Sequence, residues 1–277
     1  MNTTDDAMRW EVLATIQTDP GCVRDVNEDA SRFIAPNDPE VLAKKGTLLI
    51  VADGMGGHSA GQVASGIAVE TISQTYFESG DNPADSLKAA FAEANLRIYE
   101  ASKSNEKFEG MGTTCTALVL QHDSALAAHV GDSRLYLIRS SEIYLMTEDH
   151  SAVMEMVKLG IISMEQARHH EDKNVIVRAL GTAPQVEVSI WENPLEVRAH
   201  DQFVLCSDGL TDLVEDKEIK SVVLSANDNH SACENLIQLA KKRGGYDNIT
   251  VGILSMEPAG REETKHLRET REVEVVL

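Results

Sequence analysis

Apolar positions along this 277-residue chain follow two periods. Alternating or continuous apolar runs bounded by turn residues predict strands near 10–18, 30–35, 46–53, 113–121, 125–131, 133–138, 142–146, 185–191, 201–207 and 248–255. Helical spacing predicts helices near 60–78, 83–102, 215–225 and 230–242. The first carries Val63, Ala64, Ile67, Ala68, Thr71 and Ile72 at that spacing, and Ser59-Ala-Gly-Gln62 before it reads as a capping box. The second opens at Asn82-Pro83 and sets Leu87, Ala90, Phe91, Ala94 and Ile98 on one face. The strands of 113–146 follow one another with short turns, which predicts an antiparallel meander. That grouping favours an α+β fold over a doubly wound parallel sheet.

Two stretches break the pattern. Residues 150–178 carry the polar run ARHHEDKN and two short helical patterns interrupted at Gly160, and read as an inserted flap. His169 and His170 there read as a solvated face, and His150, in Asp149-His-Ser151, as an organiser of the flap base. From Glu257 to Leu277 periodicity gives way to charge, as expected of a mobile tail after a domain spanning 1–256.

Composition narrows the field. Apolar residues make up 42%, with aromatics at 4%, so the core rests on aliphatic side chains and alanine. Acidic residues outnumber basic ones 45 to 25, which disfavours nucleic acid and anionic membrane as partners. Cys22, Cys115, Cys206 and Cys233 show no CxxC spacing and read as reduced thiols. The N-terminus lacks the basic and apolar regions of a secretory signal, and no apolar stretch approaches a membrane span, so a cytoplasmic location is expected.

Candidate chemistry sits at strand ends. LLIVADG ends at Asp53-Gly54, AAHVGDS at Asp132 and FVLCSDG at Asp208-Gly209, while Asp247 precedes a strand in which Ile249, Val251 and Ile253 alternate. VRDVNEDA supplies Arg24, Asn27, Glu28 and Asp29. A single Asp-Gly is a turn signal. Several aspartates on apolar strands are different, because strands lying side by side would bring the carboxylates to one end. There they would repel one another, and a divalent cation relieves the repulsion. Carboxylates with waters suit Mg²⁺ or Mn²⁺. Zinc fits poorly without HExxH or paired CxxC, and no EF-hand loop is present. Arg24 offers a planar fork for phosphate.

In order, VRDVNEDA, LLIVADGMGGHSAG, MGTTCTALVL, AHVGDSRLYLIR, TEDHSAV, NVIVRALG, LCSDGLTD and YDNITVGIL resemble the bacterial type 2C metal-dependent protein phosphatases over roughly residues 10–255. The resemblance implies a four-layer αββα sandwich: two antiparallel sheets flanked by helix pairs. It implies hydrolysis of phosphoserine and phosphothreonine by direct attack of a metal-bridging hydroxide, with two or three Mn²⁺ or Mg²⁺ ions. Asp53 matches the bridging carboxylate, with the Gly54 carbonyl on the second ion. Asp208 and Asp247 match the other ligands of the first ion, Glu28 and Asp29 act around the second, and Asp132 with Asp208 resembles a third site. Arg24 matches the phosphate-binding arginine, and Asn248, Thr113 and Thr114 are candidates to support the ligands.

Eukaryotic relatives place a histidine after the Asp-Gly; here Met55 stands there, and His58 is a candidate proton donor at a different spacing. The expected partners are phosphorylated proteins, among them a Ser/Thr kinase or its substrates, and the protein itself is expected to be a monomer. The competing reading is a catalytically silent phosphoprotein-binding or scaffold module of the same fold. No Cys-x5-Arg arrangement supports a covalent thiol mechanism.

Overall fold

The computed structural model describes residues 10–56 and 60–258. Strands β1 (Trp10–Asp19) and β2 (Asp29–Ile34) are followed by a short helix α1 (Pro39–Lys45) and by β3 (Thr47–Met55). Two long helices, α2 (Ala60–Glu78) and α3 (Pro83–Ser104), lead to β4 (Gly112–Thr113), β5 (Cys115–Gln121) and β6 (Ser124–Val130). Next come β7 (Arg134–Arg139), β8 (Glu142–Leu145), α4 (Ala152–Lys158) and α5 (Met164–Arg168). The remaining elements are β9 (Ser189–Ile190), β10 (Leu195–Glu196), β11 (Gln202–Cys206), α6 (Asp208–Thr211), α7 (Asp216–Ser225), α8 (Asn229–Lys242) and β12 (Ile249–Pro258).

One sheet runs β10-β6-β5-β3-β2, with β4 on β3 and β9 on β6; the other runs β1-β12-β11-β7-β8. The pairings are antiparallel. Side-chain alternation builds the layers. Along β3, Leu48, Ile50 and Ala52 pack with residues of α2 and α3, while Leu49 and Val51 face the second sheet. Along β11, Val204 and Cys206 meet α7 and α8, and Phe203 and Leu205 face inward. Both faces of these strands are therefore buried, and their sequences read as continuous apolar runs. Each fully buried aliphatic chain contributes about 1.5–3 kcal/mol relative to exposure.

The αββα sandwich expected from the resemblance is the architecture observed. The meander of 113–146 requires correction: β5 and β6 form a hairpin in one sheet, and β7 and β8 a hairpin in the other. The chain changes sheets at 131–133, where Gly131 has φ 109° and a Cβ would lie 2.5 Å from the Cβ of Thr114. Alternation marks which face of a strand is buried but not which sheet it joins. The strand expected at 185–191 is reduced to Ser189–Ile190. Helix α1 was not anticipated, although its signals are local: Asp38 accepts from Glu40 N at 2.9 Å, Pro39 opens the helix and Gly46 closes it. Glu257 and Pro258, expected to open the tail, instead complete β12 opposite Glu11 and Trp10, because the ladder with β1 continues to the end of that strand. The capping box at Ser59 and the rest of the expected tail lie outside the described residues.

Candidate metal centre and active site

Each acidic residue singled out by its motif sits at an element end on one edge of the sandwich. Asp29 opens β2 and pairs directly across the ladder with Asp53 of β3. Asp132 lies in the crossing between sheets, Asp208 opens α6 immediately after β11, and Asp247 precedes β12. Glu28 adjoins Asp29, and its carbonyl accepts from Gly54 N at 3.2 Å. Gly54 has no room for a side chain: a Cβ would fall 2.1 Å from Gly61 O and 2.6 Å from Glu28 O. At Gly61 a Cβ would meet Glu28 Oε1 at 2.6 Å. Two glycines thus let the end of β3, the first turn of α2 and Glu28 close on one another.

The carboxylates crowd electrostatically. Burial pushes Asp53 well above the usual range, and the charges of Asp29, Asp208 and Asp132 push it further. Asp132 is raised by burial and then by Asp208 and Asp149. Asp208 is raised by burial and by Asp212 and Asp247, and Glu28 chiefly by burial. Among the described residues, five buried side-chain oxygens lack a hydrogen-bond partner, and four belong to this group: Glu28 Oε1, Asp29 Oδ1, Asp132 Oδ1 and Asp208 Oδ1. Unpaired buried carboxylate oxygens are costly unless a cation meets them, so this donor set fits hard divalent ions. No three acidic, histidine or cysteine side chains among the described residues form a ready-made cage.

Polar partners hold the carboxylates in place. The Asp53 carbonyl accepts from Thr113 Oγ1 at 2.8 Å and Thr114 N at 2.9 Å, and Asp53 N donates to Thr114 Oγ1 at 3.1 Å. Asn248 donates to the carbonyls of Pro20 (3.1 Å) and Val26 (3.0 Å) and accepts from Glu28 N (2.8 Å), stapling the β1–β2 loop to β12. Sequence reasoning missed a second seam. Ser207 Oγ and Thr250 Oγ1 both donate to Asp29 Oδ2, at 2.8 and 2.6 Å, and Thr250 N donates to Ser207 Oγ at 2.9 Å. Three strands from both sheets are thereby tied beneath the cluster, leaving Asp29 Oδ1 unpartnered. The available signal was a hydroxyl ending the apolar run FVLCS and another within ITV.

Arg24 reaches the same edge, its Nη2 2.8 Å from Asp247 Oδ2. His58 lies outside the described residues. His169 caps the C-terminus of α5 and His170 follows it; they lie 3.7 Å from Glu165 and 3.8 Å from Asp172, respectively. His150 does organise the base of segment 150–178: its Nδ1 accepts from Gly131 N at 3.0 Å, while its own N–H donates to Gly131 O at 2.7 Å. Burial pushes the thiols of Cys206 and Cys233 up to about 12, which disfavours either as a thiolate nucleophile.

A sandwich of two helix-covered antiparallel sheets, with an under-satisfied carboxylate cluster at one edge and an arginine beside it, defines a metal-dependent hydrolase of phosphate esters. Residues 26–242 match the family model for protein phosphatase 2C, and the chain belongs to that family. It is 39% identical over 248 residues to a protein phosphatase 2C-type protein of Streptococcus pyogenes, covering 88% of this chain and 97% of the relative. The serine/threonine phosphatase PstP/Ppp of Mycobacterium tuberculosis superposes with a TM-score of 0.79 at 34% identity, over 89% of this chain and 99% of that one. The PstP catalytic domain in complex with two manganese ions gives a TM-score of 0.77 at 34% identity, over 90% and 100% of the two chains.

Proposed function

We propose that this protein phosphatase hydrolyses phosphoserine and phosphothreonine in proteins with Mn²⁺ or Mg²⁺ held by Asp53, the Gly54 carbonyl, Asp208 and Asp247, with Glu28, Asp29 and Asp132 completing the set. The observation that carries the reading is the group of four buried, unpartnered carboxylate oxygens at the edge shared by both sheets. When bound, divalent ions supply positive charge to a phosphoryl group and acidify water, the chemistry of hydrolysis without a covalent enzyme intermediate. This chain's own residues do the rest. Arg24 presents a charge-assisted fork to phosphate oxygens. Ser207 and Thr250 fix the Asp29 carboxylate, and Thr113, Thr114 and Asn248 fix the backbone at Asp53 and Glu28, so that little reorganisation accompanies binding. The glycines at 54 and 61 keep Glu28 pressed against the start of α2.

Segment 150–178 serves as a flap over the substrate side. The physiological substrates are phosphorylated proteins, including a Ser/Thr kinase or its targets, and the enzyme acts as a monomer in the cytoplasm. No helix among the described residues is long and apolar enough to cross a membrane, which is compatible with that location. The test is a phosphothreonine-peptide assay across metal and chelator. Turnover should require added Mn²⁺ or Mg²⁺ and vanish with EDTA; turnover that survives thorough chelation would overturn the metal assignment.

A further inference from the structure

The loop carrying Arg24 exposes apolar side chains on either side of it. Val23 is 62% exposed and Val26 40%, and Tyr246, the neighbour of Asp247, is 64% exposed. The two loops are clamped together: Cys22 N donates to Gly245 O at 2.7 Å, and Asn248 Nδ2 to Val26 O at 3.0 Å. The Arg24–Asp247 pair at 2.8 Å joins them at the centre.

Tyr246 lies against the backbone without being buried. At Gly244, with φ +128°, a Cβ would fall 2.2 Å from the ring Cζ, so the ring rests on bare backbone. A tyrosine has only two side-chain torsions and so loses little entropy when a partner covers its ring, the behaviour of an interface anchor. Scattered exposed valines need no explanation, but these three residues lie within two positions of Arg24 or Asp247.

Resting on the phosphatase reading, in which Arg24 marks the phosphoryl position, we propose that Tyr246, Val23 and Val26 form an apolar rim. It receives a bulky apolar side chain one or two residues from the phosphorylated residue of a peptide substrate. The distance follows from chain geometry: an extended peptide advances about 3.3 Å per residue, and successive loop Cα atoms are about 3.8 Å apart, so close neighbours on one side face close neighbours on the other. Charge selects the occupant as well. Lys241 at this edge is already paired with Asp19 at 2.7 Å, and the chain carries a net charge of −20, so an acidic flank meets repulsion.

The experiment compares kcat/KM of the metal-loaded full chain on phosphothreonine peptides that share one frame and carry Phe, Ser or Glu at each of the two positions on either side. Phe should exceed Ser about tenfold at one of these positions, with Glu lowest, as expected for covering one apolar group. Tyr246→Ala should bring the Phe-to-Ser ratio close to one, Tyr246→Phe should keep it, and Val26→Ser should reduce it. Circular dichroism checks the fold of each variant, and the wild-type panel stands by itself if one variant does not fold. Equal loss on both peptides in Tyr246→Ala means that Tyr246 only supports Asp247, and overturns the rim. Wild-type turnover without preference also overturns the rim while leaving the phosphatase reading intact. No metal-dependent turnover of any peptide overturns both.

Discussion

The carboxylate cluster and segment 150–178 are neighbours held by different forces. The cluster stands on strands buried on both faces, with Ser207, Thr250 and Asp29 sealing the seam between sheets. Segment 150–178 has two short helices and leaves Leu159, Ile161, Met164, Val175 and Val177 exposed. Val153, Met154 and Ala167 are buried, and polar contacts at and beside the segment add to them. Arg134 grips Asp149 with Nε and Nη2, at 2.6 Å for the shorter contact, and Nη1 reaches Tyr136. His150 clasps Gly131, Lys173 pairs with Asp212 at 2.7 Å and Arg168 with Asp216 at 3.2 Å. The cluster therefore inherits the rigidity of two cores, whereas segment 150–178 buries few apolar side chains and adds polar contacts that respond to charge, pH and salt.

The sharpest break separates chemistry from fold. Asp53→Asn keeps shape but removes a charge from the centre of the cluster. Turnover should fall by on the order of a thousandfold or more, beyond the ten- to hundredfold typical of losing a group that merely supports a ligand. Circular dichroism should stay native, and the metal-free variant should melt no lower than wild type because carboxylate repulsion is relieved. Near-normal turnover in a folded variant would remove Asp53 from the site.

At the start of segment 150–178, Asp149→Ala leaves the Arg134 guanidinium buried without its partner and should cost about 3–5 kcal/mol in unfolding free energy. Urea denaturation measures it; a change below about 1 kcal/mol would show that the pair does not anchor the segment.

Acid should attack the same base. The rings of His129 and His150 lie 4.8 Å apart. Burial pushes His129 down to about 4, and burial followed by the neighbouring His129 pushes His150 down to about 3. Both folded-state values lie below the unfolded one near 6.5, so the unfolded chain binds more protons in between. Stability is full above about pH 6.5 and is lost as pH falls through about 4, with His129 alone worth on the order of 3 kcal/mol. Melting temperature across this window should decline less steeply in His129→Gln. An identical slope would assign the acid sensitivity to other groups.

The smallest effect belongs to the exposed latch. Lys173→Ala removes a partly exposed ion pair and should change stability by no more than about 1 kcal/mol, with the wild-type pair weakening as salt rises. A larger, salt-independent loss would mean that the segment is docked by packing.

Much of this was legible in the chain because the signals are local. LLIVA and FVLC announced strands buried on both faces, and the Asp-Gly pairs at their ends marked Asp53 and Asp208. Asp38, Pro39 and Gly46 announced α1 equally well, yet a seven-residue helix holds too few turns for periodicity to stand out. The hairpins of 113–146 show the limit. Each strand was found, but alternation reads the same in either sheet, and the crossing depends on Gly131 packing against Thr114 across the open end of the β5–β6 hairpin.

By itself, the sequence determined the elements, the family pattern and which carboxylates stand at strand ends, since strand period, turn chemistry and motif are written in neighbouring residues. Only the tertiary structure decided that Asp29 pairs across the ladder with Asp53, that Ser207 and Thr250 hold Asp29 from the other sheet, and that Tyr246 rests on Gly244 beside Asp247. Most of these contacts join distant parts of the chain, and their strength comes from burial. Burial arises only when both sheets close on one core, because the same hydroxyls and carboxylates in water would bond to solvent and specify nothing.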